Sequence, residues 1–438
     1  MAEVTDFLVF IVQQILLQGP LFLGLVAALG AILARKRPLE VLETFTKAAA
    51  GIAVISAGSG VLVGAFKPLG DLMVKVFGFE GLIIWNIPSW NYALTLAPPS
   101  YHINVPLAGM MTLALAFVLN LIAARLTPIK TVYLTPHFMN FIAVANTVAV
   151  SWYFPEADLL TVVLIAAVAA FLMEWLVPEI ARRLSTKYWI PEGAYTVGHA
   201  TELFGAVYGR VAQSLGMKPE ESAEKVKVPD ELKAIADYVV MSLIISLGMF
   251  IPIVLAAGPE LTPSGGMNYI LYAVVQAISF TAGVVVLITG VRLFIGAMMP
   301  AFKGISERLI PGAIPAYDAP VIFPLGPRAM LIGAATTLVT APLITIIMGL
   351  SGFPVVPVPV AISIFFHGST WGIFGDKMAG WKGAIFTAAL GMATEMLLAS
   401  LVVYPLVGPL FGKGFTWMGD NNVFYALWFG LLKLITGR

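Results

Sequence analysis

Apolar residues in this chain come in runs of about twenty, the length a helix rising about 1.5 Å per residue needs to cross a bilayer core of about 30 Å. The runs cover 7–34, 48–66, 105–124, 127–150, 159–177, 234–257, 269–299, 328–350, 355–374, 382–410 and 423–435, and charged, proline or glycine-rich stretches separate them. This pattern predicts an all-α polytopic membrane protein. Two segments carry charge inside an apolar helical pattern. Residues 39–47 read as a helix lying on the membrane interface. YTVGHATELFGAVYGRVAQSL, 195–215, reads as an amphipathic helix or a re-entrant element, and PEESAEKVKVPDELK after it is a charged cytoplasmic loop, either a docking surface or a plain linker.

Composition sharpens this picture. Of 438 residues 59% are hydrophobic and 11% charged, whereas a soluble domain carries charge on about a quarter of its positions. A net charge of +1 offers no broad basic surface, which excludes nucleic acid as a partner. There is no cysteine, so disulfides, thiolate metal sites, iron–sulfur clusters and a cysteine nucleophile are excluded within this polypeptide, and no metal or cofactor is expected. The opening MAEVTD is acidic where a secretory signal is basic, so the first run is expected to be retained as a membrane helix. The positive-inside rule puts Arg35, Lys36, Arg37, Lys433 and Arg438 in the cytoplasm and the acidic tail outside, which requires an odd number of crossings in the cell membrane.

Candidate chemistry lies where the runs are interrupted. GISERLIPGAIPAYDAP, 304–320, sets one carboxylate, Asp318, between Pro315 and Pro320. Two readings stand side by side: a broken membrane helix holding a polar site, or a surface loop in which Asp318 caps the next helix. AGSG at 57–60 allows close helix packing or an unwound backbone beside Ser59. WNIPSWNYALTLAPPSYH, 85–102, is an aromatic belt or part of a ligand site that includes Asn86. His137 follows Pro136 in YLTPHFMNF, His199 and Glu202 lie in the amphipathic segment, and His367 lies in FFHGSTWGIFGD. His137 and His367 hold matching places in two halves that echo each other, as paired interruptions do in transporters with inverted repeats. The expected organisation is a first repeat over 1–178, an amphipathic segment and loop over 179–233, a second repeat over 234–412 and a last membrane helix over 413–438.

Several stretches resemble the membrane-embedded IIC component of the bacterial phosphotransferase system for L-ascorbate, in the ascorbate/galactitol superfamily. They are QGPLFLGLVAALGAILARK, AGSGVLVGAFKP, LTPHFM, TVGH, GVRLF, FKGISERLIPGAIPAYDA and IFFHGSTWGIFGDKMAGW, running in family order from about residue 18 to about residue 385. The resemblance implies a homodimer of about eleven transmembrane helices with inverted repeats and broken or re-entrant helices at the substrate site. It further implies transport of a sugar or sugar acid coupled to phosphorylation by a separate IIB phosphoprotein. Ser59, His137, His199 and Asp318 match family substrate contacts, and Asp318 and His137 are the expected catalytic groups, Asp318 as a base of raised pKa. The chain departs from the family where glutamines become Phe141, Ala200, Thr201 and Glu202, which alters the hydroxyls the site can satisfy. A stand-alone proton-coupled or facilitative transporter on the same fold is the alternative, with Asp318, Glu202 or a histidine carrying the proton. A non-transporting scaffold or sensor is a third reading, disfavoured by the polar residues that recur in both halves.

Overall fold

A computed structural model describes residues 7, 10–77, 82–84, 102–227, 234, 237–353, 355–359, 361–406, 415–416 and 421–437. The described residues are helical almost throughout. Helix α1 (Gly19–Leu33) turns into α2 (Pro38–Phe77); α3 (Val105–Leu126), α4 (Pro136–Tyr153) and α5 (Leu159–Leu184) follow, then the short α6 (Thr201–Ser214). The second part holds α7 (Tyr238–Leu261), α8 (Tyr269–Arg308), α9 (Pro327–Leu350), α10 (Ala361–Leu398) and α11 (Asn422–Thr436). Helix α7 is interrupted at Gly258 and α10 at Gly380, both with positive φ. Among the described residues seven helices are long and apolar enough to cross a membrane, and α1 and α11 are shorter apolar helices.

The core is organised around α2 and α8, each 40 residues long and packed against the other. Gly51 and Gly58 on α2 face Phe294 and Leu287 on α8, while Gly283 and Gly290 on α8 face Leu62 and Ile55 on α2. As one number rises the other falls, so the helices run antiparallel. A Cβ added at Gly51 or Gly290 would lie 2.6 Å from a backbone nitrogen of the other helix. Small residues let the backbones approach this closely, which gains dispersion contacts where lipid supplies no hydrophobic drive between helices. Of the two readings of AGSG, the structure shows packing: α2 runs on without a break through 57–60. Residues 39–47 form no separate interfacial helix and are the first turns of the same helix. Gly290→Leu should therefore destabilise the fold by on the order of 1–3 kcal/mol or more through overpacking. Gly296→Leu is the control, because the space beside Gly296 on the same helix is open. Thermal unfolding of the two variants in detergent measures the difference, and equal melting temperatures would refute the packing argument.

The loop after α6 is pinned rather than free over its described part. The Asp376 carboxylate accepts from Ser222 Oγ and the Ala223 amide, both at 2.6 Å. Glu224 Oε1 accepts from the amides of Arg328 and Ala329 at 2.7 and 3.0 Å, so it caps the start of α9, a favourable place for an anion. Burial pushes the Glu224 carboxyl up from its usual range, against the lowering effect of those two amides.

Among the described residues two small parallel sheets punctuate the helices. One joins β1 (Leu82–Ile84) to β5 (Pro357–Pro359) and β6 (Phe415–Thr416). The other has the order β2 (Thr131–Tyr133), β4 (Ile314–Tyr317), β3 (Thr196–Val197), and it positions the site.

Candidate functional site

A sheet edge in a membrane protein must find partners for its backbone groups, because hydrocarbon offers none. In the β2–β4–β3 sheet the outer edge of β2 is closed by the buried Asn120 of α3. Its Oδ1 accepts from the Tyr133 amide at 3.0 Å and its Nδ2 donates to the Thr131 carbonyl at 3.3 Å. Thr131 Oγ1 donates to the Trp175 carbonyl of α5 at 3.0 Å, and the Tyr133 hydroxyl donates to the Gly198 carbonyl. The register Tyr133↔Ala316 and Val197↔Tyr317 brings the three carboxyl ends level. A residue just beyond each end is thereby delivered to one place: His137 in the first turn of α4, His199 two residues after β3, and Asp318 directly after β4.

His199 Nε2 lies 2.9 Å from Asp318 Oδ1, and His137 Nε2 lies 3.9 Å from Asp318 Oδ2. The Phe138 ring lies against His199 with centroids 3.7 Å apart, and the two imidazoles are 6.1 Å apart. Asp318 Oδ1 also accepts from the Ala319 amide at 2.7 Å, capping the 3-10 turn 319–325. Both readings of 304–320 thus describe part of the truth: the helix breaks after Arg308, and Asp318 is at once a cap and a wall of a cavity. Buried His199 and half-exposed His137 bracket this carboxylate, whose side chain is 35% exposed.

The cavity measures about 560 Å³, within the range usual for small-molecule sites. Ser59, His137, His199 and Asp318, expected together, all line it, and so do Phe141, Tyr317 and His367. Glu202 is placed differently: it is fully buried at the start of α6, its Oε2 accepts from Thr196 Oγ1 at 3.4 Å, and it is not among the lining residues. Asn86 lies outside the described residues. Phe141, expected from the resemblance to stand in place of a glutamine, packs edge-on to His137 at 6.0 Å and lines the cavity.

Asp318 sits in the connection between β4 and the 3-10 turn, outside the spanning helices. Burial raises its pKa, but the charges of His137 and His199, the contact with His199 and the Ala319 amide together outweigh it and hold the carboxyl below its usual range. This corrects the expectation of a base with raised pKa. The carboxylate accepts hydrogen bonds, and each imidazole can both donate and accept one. Sequence reasoning missed Asn120, which closes the edge of β2, and Tyr317, whose buried hydroxyl has no hydrogen-bond partner among the described residues.

A family model described as the PTS system sugar-specific permease component matches residues 14–425. The ascorbate-specific PTS system EIIC component of Mycoplasma pneumoniae is 25% identical over 451 residues, spanning 91% of this chain and 67% of that protein.

Proposed function

The chain belongs to the family of sugar-specific permease components of the phosphotransferase system, multi-pass proteins of the plasma membrane, and from that premise we propose that it carries a small sugar acid of the L-ascorbate kind. The observation that carries this reading is the meeting of His137, His199 and Asp318 on one wall of the 560 Å³ cavity. An ionised carboxylate flanked by two imidazoles offers acceptors and donors in alternation, which is what a ring bearing several hydroxyls requires. Ser59 adds a hydroxyl to the same cavity because the close packing at Gly58 presses this part of α2 against α8.

In this proposal His199 orients the substrate, and the Asp318–His137 pair takes up the proton of the hydroxyl that is phosphorylated. The phosphoryl group comes from a separate IIB protein that carries it as phosphocysteine, a residue this chain cannot supply because it has no cysteine. The proposal extends to a homodimer of eleven crossings with inverted repeats over 1–178 and 234–412, bridged by 179–233 and followed by the helix within 413–438. The equal lengths of α2 and α8, their antiparallel packing and the seven-residue glycine spacing on each support the inverted halves.

Proteoliposomes holding this protein alone, or with a phosphorylated IIB protein of the ascorbate type, test the coupling. L-ascorbate uptake is expected only with the partner and with phosphorylated product inside. Accumulation without a partner that collapses with a protonophore would establish the proton-coupled transporter instead.

A further inference from the structure

A second buried acid and histidine pair lies on the same cavity, outside the Asp318 cluster. His367 lines the cavity and is 8% exposed. Its Nδ1 lies 2.8 Å from Oε2 of Glu395, whose side chain is fully buried. The two residues come from different arms of α10, His367 before the break at Gly380 and Glu395 after it. Glu395 Oε1 has no hydrogen-bond partner among the described residues.

A carboxylate buried in a membrane helix is costly, and burial of such groups is tolerated chiefly where they face a partner, a cavity or a pathway. A carboxylate bound to one ring nitrogen fixes the tautomer and the plane of an imidazole and raises the basicity of the other nitrogen, as it does for histidines that bind metals or take protons. The surroundings hold the pair still. Trp371, one turn after His367, lies edge-on to its ring at 5.7 Å and donates from Nε1 to the Thr201 carbonyl at 2.9 Å, tying this part of α10 to the start of α6 just after His199. Asn422 of α11 donates to the Glu395 carbonyl at 3.3 Å.

We propose that His367, oriented by Glu395, is a further substrate-binding residue that receives one hydroxyl of the ligand on the α10 lining, while Asp318, His137 and His199 receive the others. The inference rests on the L-ascorbate reading of the cavity and deepens it: the ligand is one whose hydroxyls lie at two ends, each met by its own acid and histidine group. Glu395 is a positioning residue that acts through His367. Had the pair only stapled the two arms of α10, its loss would lower stability and leave ligand selectivity untouched.

The test measures binding to the full chain in lipid nanodiscs of L-ascorbate, of 6-deoxy-L-ascorbate and of 2-O-methyl-L-ascorbate, by calorimetry, with thermal unfolding alongside. Wild type is expected to prefer L-ascorbate to both analogues. His367→Gln should weaken L-ascorbate binding roughly tenfold, the value of one hydrogen bond to a charge-assisted group. It should also abolish discrimination against one analogue while keeping it against the other. Glu395→Gln should blunt the same discrimination to a smaller degree. If His367→Gln binds all three ligands with wild-type ratios, whatever its melting temperature, the pair is a staple and the inference is overturned while the reading of the cavity stands. If wild type binds none of the three, that reading fails and takes this inference with it.

Discussion

Asp318→Asn is expected to weaken L-ascorbate binding at least about a hundredfold and to abolish uptake, while the protein still folds. The substitution keeps the volume and keeps an oxygen for the Ala319 amide, so the cap on the 3-10 turn survives. What it removes is the charge that His199 meets at 2.9 Å and His137 at 3.9 Å. Hydrogen bonds to a charged group contribute about 1.5–3 kcal/mol each, so the loss of two such contacts with a bound hydroxyl exceeds a hundredfold. The Asn Nδ2 would also present a donor to imidazoles that need an acceptor, which misorients both rings. Calorimetry gives the binding loss, and thermal unfolding should show a melting temperature within a few degrees of wild type. Binding within a few-fold of wild type would remove Asp318 from the site.

The spanning helices were legible because hydrocarbon imposes one length on them, and a run such as 159–177 has no competing explanation. The position of the site was legible for a related reason. Pro315, Asp318 and Pro320 cannot continue a membrane helix, so the interruption at 304–320 announced itself, and Pro136 before His137 did the same. The device that assembles the site was hidden. Strands β2, β3 and β4 are two to four residues long, too short for any alternation to register. Their pairing joins segments far apart in the chain, which no local pattern encodes. Asn120 reads as one polar residue in an apolar helix, and only the structure shows it standing in for a fourth strand. Continuity of α2 was missed for the opposite reason, since the charges at 39–47 look like a boundary although the backbone passes through them. His137 and His367 were both visible in the sequence as histidines in interrupted apolar runs, and both line the cavity. The partner of His367 was not visible, because Glu395 lies 28 positions away beyond a break in the helix.

Gly198→Ala is the substitution expected to do most damage for its size. The TVGH motif carries its glycine where three strands converge. The Gly198 amide donates to the Tyr317 carbonyl at 2.5 Å, and its carbonyl accepts from the Tyr133 hydroxyl. A Cβ there would lie 2.6 Å from Thr135 Oγ1 and 2.9 Å from the Ala316 carbonyl oxygen. Thr135 Oγ1 can turn away only by giving up its contact with the Ala316 carbonyl, and Ala316 belongs to the central strand, so its carbonyl cannot withdraw without moving β4. Relief must therefore come from β3, which shifts away and carries His199 off Asp318. A displacement of about 1 Å in a positioned group suffices to cost on the order of a hundredfold in activity. Uptake by Gly198→Ala should fall by that factor, although the change adds one methyl group and alters no charge. The measurement that separates this from general unfolding is L-ascorbate affinity in protein whose thermal unfolding stays cooperative. Wild-type affinity in such a variant would mean that the convergence of the three strands does not hold the site.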